Sequence, residues 1–276
     1  MTIHRRSLLT VLAAGSGVLA MPFAARAEGT LEAVKKRGTL RVGVTQAPPW
    51  FSKDPKSGQW SSGLGVFFGK AMADKLGVKM ETVEVSWGNS IAALQGDKID
   101  IMFTIDATPE RKKAVAFPEA PLLYYSLAVL ARDDLQAKTW EDLDKAGVRI
   151  AVPQASSMDR FVTGHTPKAD IQRFPDNAAA IAAFQSGRVD AVCLFHPPLL
   201  AARQKLGKGK LVVPTPAQSQ PSSVALRQGD PEFVAWVDKQ LVEYYKSGQT
   251  QKWYEQALRE FGLDPKLAPP IMKEML

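Results

Sequence analysis

The sequence predicts an α/β protein of two lobes, each a mostly parallel sheet flanked by helices, the lobes joined by a two-strand hinge. Three observations carry the prediction. Short apolar runs alternate with amphipathic helical stretches along the chain, the pattern of strands covered by crossover helices. The alternation runs through one series, breaks near Arg132 and starts again, which makes two units. The length fits as well: the chain has 276 residues, and the 249 left after an export-like segment at residues 1–27 are enough for two domains. The expected division is a signal at 1–27, lobe 1 at 28–128 with 222–276, and lobe 2 at 129–221.

In the first series, Thr39 to Val44 (TLRVGV) is a strand followed by the Pro48-Pro49 turn. A loop with Asp54-Pro55 and Ser57-Gly58 leads to a helix from about Gly65 to Leu76, where Leu64, Phe67, Phe68, Ala71, Met72 and Leu76 keep helical spacing. Lys79 to Val85 is the next strand and Asn89 to Gln95 the next helix. Ile99 to Thr104 is a nearly continuous apolar run, as in a strand covered on both faces.

The second series has a short helix at Trp140 to Leu143, then strands at Val148 to Pro153, Ile171 to Phe174, Asp190 to Phe195 and Leu211 to Val213. Helices fall between them, from Ser157, at Asn177 to Gln185 and at Pro198 to Leu206. Beyond a proline-containing connection, Ser223 to Leu226 returns as a strand, and Glu232 to Ser247 and Gln251 to Phe261 are helices with apolar stripes. Connections near Ser126 to Arg132 and Val213 to Ser223 join the lobes, and a ligand is expected in the cleft between them.

The ends and the composition limit the function classes. Arg5 and Arg6, an apolar stretch from Leu8 to Ala20 and the small-residue site Ala25-Arg26-Ala27 read as an export signal, with a possible twin-arginine form. The single cysteine, Cys193, allows no intrachain disulfide and reads as core. These features point to a free periplasmic protein. The formal charge of +7 falls to +4 without the signal, and its lysines and arginines are interspersed with acids. No clustered charge or groove-reading motif points to nucleic acid. No metal-ligand spacing appears, and no cofactor is expected.

Asp100 to Tyr125 (DIMFTIDATPERKKAVAFPEAPLLYY) carries the most chemistry. Thr108 caps a helix whose first residue is Pro109, and Arg111 falls in its first turn. The helix dipole disfavours a cation there, so a negative partner is expected: a ligand anion, or simply Glu110 or a surface acid.

The residues also carry a resemblance. Gly38-Thr39-Leu40-Arg41-Val42-Gly43-Val44, Ile99-Asp100 through Thr108-Pro109-Glu110-Arg111-Lys112-Lys113, Phe117-Pro118-Glu119-Ala120-Pro121, Gly187-Arg188-Val189-Asp190-Ala191, and Ser223-Val224-Ala225-Leu226-Arg227 with Gly229-Asp230-Pro231-Glu232 stand in one order. In this the chain resembles the amino-acid-type extracytoplasmic solute-binding proteins, family 3, that feed ABC transporters. The resemblance implies a type II-like periplasmic-binding-protein fold and a monomer that docks on a membrane permease. It departs from the family signature at Gly65, where an acid is usual.

The resemblance also implies site residues. Arg111 of Thr-x-x-Arg clamps a ligand carboxylate, for which its rigid fork is suited. Ala155, Ser156 and Ser157 offer a helix start from the facing lobe, an anion site or plain N-capping. Thr104 adds a hydroxyl or carbonyl at the strand end. Trp87 matches a place where the family stacks an aromatic on its ligand, and Trp50 follows the Pro-Pro turn at the rim; either also reads as core. Phe195 stands where many members pair the ligand ammonium with an aspartate. Asp106 takes over that role, or it pairs with Arg111 and the ligand is no ordinary α-amino acid.

The leading function is therefore capture of a small carboxylate ligand, an amino acid or analogue, for delivery to a permease. The competing class is a periplasmic enzyme on the same fold, resembling cyclohexadienyl dehydratase, with Asp106 as the only evident acid near the site. No Ser-His-Asp or Cys-His set appears, and His196 reads as a cleft residue or a structural one. A sensory ligand-binding domain is a third class, disfavoured because no later segment reaches a membrane.

Overall fold

The computed structural model describes residues 29–269 and Ile271. The export-like segment at 1–27 lies outside the described residues. Among those described, no helix is long and apolar enough to cross a membrane.

The first series holds α1 (Thr30–Arg37), β1 (Thr39–Val44), the hairpin β2 (Ser52–Lys53) and β3 (Trp60–Ser62), α2 (Leu64–Leu76), β4 (Lys79–Glu84), α3 (Ser90–Gln95), β5 (Ile101–Ile105) and α4 (Pro109–Lys112). The second holds β6 (Leu123–Ala131), α5 (Trp140–Leu143), β7 (Arg149–Pro153), α6 (Ser157–His165), β8 (Asp170–Phe174), α7 (Asn177–Gln185), β9 (Ala191–Phe195), α8 (His196–Leu206) and β10 (Lys210–Val212). β11 (Ser219–Leu226), α9 (Pro231–Lys246) and α10 (Gln249–Glu260) close the chain.

The strands run in the order β4-β1-β5-β11-β6-β9-β7-β8, with β10 also on β6. β1 lies parallel to β4 and β5, and β7 parallel to β8 and β9. Each half is thus a small parallel sheet in which the middle strand comes first in the chain. Antiparallel β6 and β11 link the halves.

The expected two-strand link is present as β6 and β11. Residues 126–131 belong to β6 and residues 219–223 to β11, while 213–218 carry only an isolated bridge at Thr215. Residues 223–226 of β11 pair with β5, residues 219–222 pair with 123–126 of β6, and residues 127–131 of β6 pair with β9. Each strand therefore serves both halves, and the sheet changes partners within one continuous ladder. The sequence concealed this because Ser219, Gln220 and Pro221 are polar or ring-locked, and the link is partly exposed. No apolar alternation marks it.

The two halves use the same anchor. The Arg41 backbone N–H donates to Asp100 Oδ2 at 2.7 Å and its guanidinium to Oδ1 at 2.7 Å. In the other half, the Arg149 backbone N–H donates to Asp190 Oδ2 at 2.9 Å and its guanidinium to Oδ1 at 2.7 Å. Both aspartates are buried, so each carboxylate needs these donors. They tie the start of the middle strand to the turn before the next parallel strand.

Gly65 also acquires a reason. A Cβ there would lie 2.5 Å from Phe51 Cζ, so the Phe51 ring requires glycine at this turn of α2. The usual acid has no room. Packing around α2 is aromatic, with Phe68 5.7 Å from Phe103 and 5.0 Å from Trp253 between ring centroids.

Candidate functional site

A cavity opens between the halves at the carboxyl ends of the parallel strands. Thr104 and Asp106 come from the end of β5, Arg111 from α4, and Phe195 from the end of β9. Ser156 and Ser157 come from the start of α6, while Trp50 and Trp87 approach from loops after β1 and β4. All eight residues singled out in the sequence line this one cavity. Free space for a water-sized sphere is about 20 Å3, close to one water. The halves are in contact here.

Arg111 is only 6% exposed. Its backbone N–H donates to Thr108 Oγ1 at 3.3 Å, as the capping motif predicts. Its guanidinium donates to two carbonyls, Asp106 O at 3.2 Å and, across the cleft, Ala155 O at 3.5 Å. It makes no ion pair within 4.0 Å among the described residues, with Glu110 or any other acid. Burial lowers its pKa, while the Asp106 charge opposes the shift. A buried guanidinium fork without a carboxylate partner is suited to an anionic ligand.

Asp106 does not pair its carboxylate with Arg111. Tyr125 donates its hydroxyl to Oδ1 at 2.5 Å, and Ser157 donates across the cleft to Oδ2. Burial raises the Asp106 pKa; the Ser157 and Tyr125 hydrogen bonds and the Arg111 charge act against it. Two donors hold the carboxyl in place, and the guanidinium takes the carbonyl of the same residue.

The two serines part company. Ser156 Oγ donates to Pro153 O at 2.7 Å and accepts from Asp159 N at 3.1 Å, so it is a cap. Ala155 N–H goes to Asp159 Oδ2 at 3.0 Å and is likewise engaged locally. Ser157 is the first residue of α6, where a backbone N–H lacks an acceptor inside the helix. Its hydroxyl reaches Asp106. The anion-binding reading of this helix start therefore narrows to Ser157.

Thr104 and Ala155 both have left-handed backbones, with φ of 55° and 56°. Neither is glycine, and such strain costs about 1–3 kcal/mol per residue. The Thr104 hydroxyl is spent on Phe103 O at 2.8 Å. Trp50 meets Tyr125 edge-on at 5.9 Å and stacks on Tyr254 at 6.2 Å between centroids. Trp87 donates its indole N–H across the cleft to Asn177 Oδ1 at 3.0 Å. Phe195 lies flat on Tyr125.

Ile105, Tyr125, Met158 and Asn177 also line the cavity and were not found from sequence. Asn177 carried a usable signal, since it opens a helix directly after a strand. Tyr125 carried none, because its partners come from three separate elements. His196 does not line the cavity; it begins α8, and burial lowers its pKa. Cys193 is fully buried in β9, which pushes its thiol up and away from thiolate chemistry. Among the described residues, no group of three or more His, Cys, Asp or Glu gathers to hold a metal.

The cleft between two parallel half-sheets, linked by two shared strands, agrees with sequence comparison. The family model of the bacterial extracellular solute-binding proteins, family 3, matches residues 40–260. The chain belongs to this family. The family-3 protein is 27% identical over 261 residues to the L-cystine-binding protein TcyJ of Escherichia coli K12, covering 91% of this chain and 96% of that one. The crystal structure of the ancestral amino acid-binding protein AncCDT-1, a precursor of cyclohexadienyl dehydratase, superposes with a TM-score of 0.75 at 38% identity, over 82% of this chain and 98% of that one. Cyclohexadienyl dehydratase of Pseudomonas aeruginosa is 27% identical over 165 residues, 59% of this chain and 61% of the enzyme. The family-3 protein has the expected two-lobed type II fold.

Proposed function

We propose that this family-3 protein captures a small α-amino acid, or a related carboxylate, between its lobes and presents it to the permease of an ABC transporter. The observation that carries the reading is Arg111, a buried guanidinium in the cleft with two carbonyl partners and, among the described residues, no carboxylate within 4.0 Å. The ligand carboxylate meets Arg111 and the Ser157 end of α6; its ammonium meets Asp106. Trp50, Trp87 and Phe195 exclude water, and Thr104 turns the backbone at the strand end. Ser156 supports Ser157 by capping. The lobes are residues 28–128 with 222–276 and residues 129–221. The exchange of strand partners near Ser126 and Ser222 supports this division. The protein acts as a monomer in the periplasm, reached through residues 1–27. Calorimetry with a panel of α-amino acids and their des-amino analogues tests the reading, which falls if no carboxylate binds.

One observation favours a second reading. Asp106 is a buried carboxyl whose pKa burial raises, the direction a general acid needs. On this reading the cleft would dehydrate a cyclohexadienyl acid. Incubation with prephenate-like acids decides between the two: product formation establishes the enzyme, and tight binding without product leaves the receptor.

A further inference from the structure

Tyr125 touches both halves of the cleft. It lies in the stretch of β6 that pairs with β11, where the sheet passes from one half to the other. Phe195, from the second half, lies flat on its ring, and Trp50, from the first, meets it at 77° with 5.9 Å between centroids. Packed between a face and an edge, the ring is held, and its hydroxyl reaches Asp106 Oδ1.

Asp106 depends on that hydroxyl. Its carboxyl is buried and makes no ion pair within 4.0 Å among the described residues. The charged and titratable groups that act on it are Arg111 from α4, Arg160 from α6 and Tyr125 itself. Arginines do not titrate near neutrality. Burial and the Asp106 charge push the Tyr125 hydroxyl well up, so it remains a donor. His196, which follows Phe195 at the start of α8, has its pKa lowered by burial and brings no charge. Asp106 is therefore the group at this point that changes charge in mild acid. Burial favours its neutral form, whereas each hydroxyl that donates to it favours the carboxylate. Of its two donors, Ser157 sits where the ligand carboxylate binds on the reading above, and a hydroxyl has one proton to give. Tyr125 is the donor that the ligand leaves in place.

We propose that Tyr125 is a positioning residue for ammonium recognition: clamped between Phe195 and Trp50, its hydroxyl engages Asp106 Oδ1, holds the carboxylate form and leaves Oδ2 for the ligand ammonium. This rests on the reading of Asp106 as the ammonium partner. Where Asp106 is protonated, binding breaks its O–H bond; the proton goes to solvent and the carboxylate accepts an N–H of the ligand. Affinity for an α-amino acid therefore falls as Asp106 gains its proton, and Tyr125 sets the pH at which it does.

Carboxyl-carbon NMR on the full mature chain reads that proton directly, with the Asp106 signal assigned by its loss in Asp106→Asn. In Tyr125→Phe, which keeps the ring, the midpoint should move up by about one unit. A midpoint that stays in place overturns the proposal. Calorimetry with L-norleucine and hexanoate, one carbon chain with and without the ammonium, reads the consequence. Tyr125→Phe should lose about tenfold in norleucine affinity on the acid side of the midpoint and far less on the alkaline side, with no such acid-side loss for hexanoate. A loss equal at every pH is that of a structural residue and overturns the proposal. Phe195→Leu, which removes the face contact, should show the same acid-side loss in smaller measure, and it stands in if Tyr125→Phe does not fold. If Asp106→Asn weakens norleucine and hexanoate alike, the ammonium reading falls and takes the role of Tyr125 with it.

Discussion

Tyr125 lies flat on Phe195, with ring centroids 3.5 Å apart and planes 9° from parallel, and from that position it donates its hydroxyl to Asp106. The stack joins a linking strand to the second half, since Tyr125 sits where β6 meets β11 and Phe195 ends β9. An acid at position 195 would not support Tyr125 in this way. Phe195 and Asp106 thus belong to one arrangement, joined through Tyr125.

Arg111→Ala should weaken binding of every carboxylate ligand by about 30-fold to several thousand-fold, the range for removing one partner of a buried charged pair. Arg111→Lys should recover part of it, because an ammonium keeps the charge and loses the fork. Calorimetry reads both, with circular dichroism to confirm folding. Unchanged affinity in Arg111→Ala would remove the carboxylate clamp.

Asp106→Asn should cost an α-amino acid about 10- to 150-fold in affinity, the value of a hydrogen bond to a charged group. The matching des-amino acid should bind as before. Equal losses for both ligands would show that Asp106 shapes the cleft without meeting an ammonium.

The unliganded protein should carry a pH signature of Asp106. Burial raises its folded pKa above the ordinary 3.8, so the folded chain holds this proton more tightly than the unfolded one. The contribution to stability is therefore full below 3.8 and is lost as pH rises through the raised folded value. Urea denaturation from about pH 4 to about pH 8 should show wild type losing stability relative to Asp106→Asn as pH increases. Parallel curves would contradict the assignment.

Asp100→Ala should destabilise the fold by about 3–5 kcal/mol, because it leaves the Arg41 anchor without its buried carboxylate. Asp190→Ala should do the same in the other half, where burial is similar. For a chain of this size each is a fall of roughly 6–20 °C in melting temperature, read by calorimetry. A loss below about 1 kcal/mol would mark these pairs as surface ornaments of the kind solvent screens.

Much of the fold was legible because its signals are local. TLRVGV, VRIAVP and NAAAIAAFQ declare strand or helix through apolar runs and spacing, and the last matches α7 from end to end. α1 was not read, since TLEAVKKR buries only Thr30 and Val34 and its first N–H is capped by Asp230, 200 residues away. A two-strand link was expected and Ser223 to Leu226 was read as strand, but the full extents, Leu123–Ala131 and Ser219–Leu226, were not, for the same reason: their partners are distant. In the site, Thr108, Pro109 and Arg111 were legible as a helix start carrying a charge, whereas the pairing of Trp87 with Asn177, 90 positions on, was not.

The sequence by itself determined the two repeated α/β series and the capped turn that carries Arg111, and its family resemblance pointed to eight of the twelve residues that line the cleft. Tertiary structure alone decided what each of them holds. Asp106 could have faced Arg111, a ligand or solvent; the choice fell to Tyr125, 19 positions on, and Ser157, 51 positions on. Helix caps and apolar periods act over a few residues, so a sequence displays them directly. Hydrogen-bond partners across a cleft are set by where two half-sheets end in space, and that position exists only once the linking strands have paired.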